Sequence, residues 1–168
     1  MRWRNLFWRK KKQKESVTNS TDYTGFLFVQ ALEVSDTYYQ ALVKNIPDHP
    51  LVMHKENHWY FYFAIAASMV GILDQRESYE EKYLSLMRRI GEWHEYGLEV
   101  SEDFNNYLKN SRQLSEDINK LNVVIAQWLY FNVKETIEIV DEEIEPFILA
   151  GQFIVDNFFA WFSKNGVD

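Results

Sequence analysis

Few residues in this chain are able to break a helix. Its 168 residues include only three prolines (Pro47, Pro50 and Pro146) and six glycines, and neither type occurs between Gly97 and Pro146. Strands need turns at short intervals, and turns recruit glycine and proline, so a chain this poor in both is directed toward long helices. Apolar spacing agrees. Leu27, Ala31, Val34, Tyr38, Leu42 and Ile46 recur at three- and four-residue intervals, the period of one helix face.

This spacing predicts a first helix over 22–46, ended by Pro47, and a second over 52–73 that is apolar nearly all round, as a central bundle helix must be. A third is expected from Ser78, with Tyr79, Tyr83, Leu86, Ile90 and Trp93 on its apolar face and Gly97 as its C-terminal cap. Ser101 followed by Glu102 and Asp103 reads as the N-cap of a further helix reaching Val140, with an interruption expected near Asn110 and Ser111. Pro146 opens the last helix, whose stripe is Phe147, Gly151, Ile154, Phe158 and Trp161. The expected fold is all-α: a single-domain helical bundle of five to six helices with an aromatic-rich core. Six Trp, ten Tyr and twelve Phe supply that core, since each ring buries roughly 150–250 Å². Residues 22–164 form the expected bundle domain, 15–21 a polar linker and 1–14 a separate tail.

Three apolar runs, 57–73, 121–133 and 146–162, fall short of the ~20 residues a spanning helix needs, and the mean hydropathy is −0.39. They are expected to be core helices. The basic start runs into more charge rather than an apolar stretch, so a secretory signal is not expected and the cytoplasm is the expected compartment. With no cysteine, disulfides, thiolate clusters and a cysteine nucleophile are excluded.

Catalytic signals are sparse. Phosphate-cradling glycine loops and the Gly-x-Ser-x-Gly elbow are absent. His54 and His58 stand four apart, the spacing of paired ligands on one helix face, and His49 would supply a third ligand in a metal-dependent bundle enzyme. Against a di-iron oxidase, no histidine has a glutamate three positions earlier: Ile46, Leu51, Lys55 and Gly91 occupy those places. His94, between Trp93 and Glu95, reads as a surface or boundary residue near a helix end, favoured there by the dipole when charged; a general base beside flanking carboxylates is the alternative. No cofactor is expected.

Charge is the more informative pattern. The net charge is −7, yet the first fourteen residues hold seven Lys or Arg and no acid, leaving 11 basic against 25 acidic residues in the remainder, a formal charge of −14. Such a body would repel phosphate, so nucleic acid is not an expected partner. Glu135, Glu138, Glu142 and Glu145 fall three, four and three apart, which on a continuous helix is one acidic stripe beside Ile137, Val140 and Ile144. Amphipathic surface helices ordinarily carry such a stripe as a solvated face; its functional reading is a docking face for another protein of basic character. In the tail, Arg2, Arg4, Arg9, Lys10, Lys11 and Lys12 alternate with Trp3, Leu6, Phe7 and Trp8. Interfacial aromatics with clustered cations suit an anionic membrane surface; a solubilising charged tail is the alternative, and the chain's own acidic stripe is a third destination. The functional expectation is a non-enzymatic, adaptor-type interaction protein, peripherally membrane-associated at the inner face. An acidic inhibitor or immunity-type protein masking a basic partner is the alternative within binding.

Overall fold

Seven helices carry the architecture of the computed structural model, which describes residues 22–47, 56–111 and 118–167, with side chains described from 59 and 120 onward in the latter two segments. They are α1 (Tyr23–Asn45), α2 (Glu56–Val70), α3 (Tyr79–Trp93), α4 (Gly97–Asn110), α5 (Ile118–Lys134), α6 (Glu145–Phe158) and α7 (Trp161–Asn165). No strand occurs among the described residues. The all-α bundle expected from the spacing of apolar residues is the fold observed, with the last expected helix divided in two.

Asp22 starts α1. Its carboxylate accepts the Gly25 amide at 3.0 Å and the Thr24 hydroxyl at 2.8 Å, satisfying a donor that the helix leaves open. Arg89 of α3 also donates to it, Nε at 2.8 Å, so the cap doubles as a tertiary tie. Burial works against the charged carboxylate. The hydrogen bonds from Thr24, Gly25 and Arg89, with the Arg89 charge, outweigh it and hold Asp22 below the usual carboxylate range.

At the centre lies α2. From Phe63 to Ile72 every residue is buried, and the helix packs against α1, α3, α4, α5 and α6. Surrounded on all sides, it has no polar face to offer, which explains its unbroken apolar run. Rings from five helices meet there. Tyr38 of α1 stacks on Trp59 and Phe63 with centroids 5.9 and 5.1 Å apart, and Phe147 of α6 meets Trp59 edge-on at 5.7 Å. On the far side Phe104 of α4 and Trp128 of α5 lie 4.5 Å apart, and the Trp128 indole donates to Asp103 at 2.7 Å. Burying one such ring stabilises the fold by about 3 kcal/mol. Ser35, Ser68 and Ser101 are buried as well, and each returns its hydroxyl to a carbonyl three or four residues back.

Several helix ends differ from the expected ones. Gly97 does not cap α3; that helix closes at His94, and Gly97 begins α4. Glycine is required there by proximity, because a Cβ at 97 would lie 2.7 Å from the Ile90 carbonyl oxygen. Ser101 is consequently inside α4 and bonds the Gly97 carbonyl at 2.7 Å instead of capping a helix. The expected break near Asn110 and Ser111 is present, as α4 ends there. Beyond it, α5 stops at Lys134, six residues before the expected Val140. The last helix is interrupted at Ala160, which adopts φ 55°, before α7 resumes at Trp161. Trp161 then ties the C-terminal turn to α1 by donating its indole N–H to Gln30 at 2.6 Å. No helix among the described residues is long and apolar enough to cross a membrane.

Candidate functional site

The end of α5 decides what happens to the acidic segment. Glu135 takes a left-handed backbone at φ 53°, and the Thr136 amide reaches back to the Phe131 carbonyl at 3.2 Å. That six-to-one bond closes the helix as a Schellman cap does, with glutamate in the place usually held by glycine. Residues 135–144 therefore form an irregular connection, and Glu135, Glu138, Glu142 and Glu145 are not a stripe on one helix.

The connection is pinned from beneath. Tyr130 is fully buried, but its hydroxyl accepts the Val140 amide at 3.2 Å and donates to Glu143 at 3.2 Å. Lys134 reaches the same Glu143 carboxylate at 2.7 Å. Glu143 is thus committed internally, paired with Lys134. Glu135, Glu138, Asp141, Glu142 and Glu145 are exposed. Between 135 and 163 the sequence has no lysine or arginine at all.

Exposed aliphatic side chains sit among these acids. Ile137 is 91% exposed and Val140 45%, while Leu149, on the outward side of α6, is 60% exposed. Leu149 also borders an open groove of about 360 Å³ between the C-terminal half of α1 and the start of α6. Its walls are mostly apolar, from Tyr38, Leu42, Ile46 and Pro146, and Glu145 stands at the rim. Isolated exposed hydrophobics are ordinary on a protein surface; here several stand on one acidic segment, and Glu145 and Leu149 from its end line the groove. The field of the acids is felt inward too. Burial raises the Tyr62 hydroxyl above its ordinary value, and the charges of Glu135, Asp103 and Glu99 push it further. At Tyr60, burial followed by Asp36 and Glu33 moves the hydroxyl up to about 12.

His94 has a different character from the charged helix-end residue expected. Its Nδ1 accepts the Tyr96 amide at 3.2 Å, and its ring lies 4.4 Å from that of Phe61. Burial lowers its pKa below the ordinary histidine value, with Glu95 opposing, so the neutral ring is the favoured form. It lies at the junction of α3 and α4, between Trp93 and Gly97.

His49 and His54 lie outside the described residues, as does the side chain of His58, and so do Arg2, Trp3, Arg4, Leu6, Phe7, Trp8, Arg9, Lys10, Lys11 and Lys12 of the tail. Among the described residues no three His, Asp or Glu side chains converge as a metal site would require. Asp141 and the groove under Leu149 were not singled out by sequence spacing. The groove forms where two helices remote in sequence meet, and no local pattern encodes that.

An all-α bundle presenting an acidic, aliphatic-studded surface is the class that fold and surface define. No protein family, curated protein or solved structure matches the chain, so its function rests on this geometry.

Proposed function

We propose that this chain is a non-enzymatic interaction protein that uses residues 135–149 and the adjoining groove to dock a basic, amphipathic segment of a partner protein. The observation that carries this reading is the exposure of Ile137 and Leu149 among five solvent-facing acids. Leaving large aliphatic groups in water is unfavourable, by roughly 25 cal/mol per Å², and a partner would relieve that exposure. The acids would speed encounter and select a cationic partner. An inhibitor that masks a basic enzyme is a narrower form of the same activity and uses the same surface. The basic aromatic segment 1–14 supports a second contact, with anionic lipid.

The test is a titration of the full chain with a synthetic basic amphipathic peptide and a charge-reversed control, followed by isotope-edited NMR. The expected result is a set of saturable shifts confined to 135–149 and the groove, weakened when Glu135, Glu138, Glu142 and Glu145 are changed together to Gln. Equal responses from both peptides, or from the wild type and the Gln variant, would remove the reading.

A further inference from the structure

The groove has a candidate occupant within the same chain. We propose that residues 1–14 dock intramolecularly on the α1–α6 groove, so that the N-terminal segment is the resident competitor of any basic partner. This rests on the docking reading above and adds the identity of the first occupant.

Three observations converge. Chemistry is the first: the groove is an apolar channel with Glu145 and the exposed Leu149 in its lining, and residues 1–14 interleave Trp3, Leu6, Phe7 and Trp8 with seven cations and no acid. Large flat rings anchored in a pocket and flanked by arginine are the side chains that dominate such contacts. Charge is the second. The remainder of the chain carries −14, so the tail meets an attractive field at home and a weaker case for leaving. Reach is the third. The tail joins the bundle at Asp22, the start of α1, and the groove lies along the other half of that helix, from Tyr38 to Ile46. At 1.5 Å per residue the distance along the helix is about 24–36 Å. The thirteen residues from Arg9 to Thr21 span at most about 43 Å when extended. Trp8 and the residues before it therefore reach the groove without any change in the bundle. Tethering makes the encounter unimolecular, which raises its effective concentration without a new contact.

The chain contains no cysteine, so Asn5→Cys accepts a single nitroxide on the full-length protein. Amides lining the groove and those of 145–149 are expected to lose most of their NMR intensity relative to the reduced label. That loss should recede at high ionic strength and in Leu149→Ser, an exposed position where folding is not at stake. Undiminished or uniformly reduced intensities would overturn the proposal. So would loss arising only when spin-labelled and isotope-labelled copies are mixed, because the occupant would then be a second copy. Free peptide 1–14 added to the wild-type chain separates the two readings. Shifts at 145–149 without intramolecular broadening keep the docking surface and remove self-docking; no shift with this or any basic amphipathic peptide removes both.

Discussion

Glu135 shows how one residue redirects a segment. Its left-handed backbone, φ 53°, costs a residue with a Cβ about 1 kcal/mol or more, because the Cβ crowds the following carbonyl. Glycine avoids that crowding at the expense of a more flexible unfolded chain. Glu135→Gly is therefore expected to raise stability by up to about 1 kcal/mol, read as a higher urea midpoint at unchanged slope; a lower midpoint would mean that the carboxylate itself contributes more than the strain costs. His94 makes a pH prediction of opposite logic. Its folded pKa lies below the unfolded value of 6.5, burial being the larger cause, so its stabilising contribution is complete above about 6.5 and is lost as pH falls toward the folded value. Protonating Nδ1 also removes the acceptor of the Tyr96 amide. An imidazole NMR titration with a midpoint below 6.5, accompanied by shifts at the α3–α4 junction as pH falls, is the expected result. A midpoint at or above 6.5 would contradict it.

Helices that begin and end by side-chain chemistry were legible in the sequence, and those set by tertiary contact were not. Pro146 announces its helix because a fixed φ acts locally, whereas the start at Asp22 was legible from apolar spacing and its carboxylate cap only in the structure. The apolar run of α2 announces a central position because burial on all sides leaves no polar face. Gly97 misleads, since its lack of a Cβ serves the approach of Ile90 and not a left-handed cap. The end of α5 is hidden because glutamate fills a position where glycine is the recognisable signal. The proposed docking surface inherits that ambiguity: its four glutamates were legible as residues, and their placement on a pinned connection was not. Gly151 illustrates a contact that only the packed elements explain. A Cβ there would collide with the Asn122 carbonyl oxygen and come within 3.2 Å of the Ala126 amide nitrogen, both backbone atoms of α5. Backbone cannot swing aside as a side-chain tip does, so α5 and α6, the most extensively packed pair, would have to separate. Gly151→Ala is expected to destabilise the fold by about 1–3 kcal/mol, despite the better helix propensity of alanine. A melting temperature equal to or above that of the wild type would show that the two helices separate at little cost.

At the scale of the whole molecule, the same tail faces two attractions that exclude one another. Each of its seven cations gains about 1 kcal/mol near an anionic bilayer, whereas the −14 body is repelled by that bilayer and, on the self-docking proposal, would hold the tail by the same charges. A segment seated in the α1–α6 groove is withheld from lipid, so vesicle binding reports on groove occupancy. Neutralising the glutamates alone would not isolate the effect, since it frees the tail and reduces repulsion together. Leu149→Ser does isolate it: the substitution leaves every charge in place and removes only an exposed aliphatic wall of the groove. It is expected to increase sedimentation with phosphatidylserine-containing vesicles at low ionic strength, with little binding to phosphatidylcholine alone. Adding Trp3→Ser and Trp8→Ser to the same chain should abolish the gain, because interfacial aromatics anchor what the cations attract. If Leu149→Ser binds no more than the wild type while the double Trp substitution still lowers binding, the tail is a lipid contact that the groove does not restrain. If neither changes binding, the tail contributes nothing at the membrane.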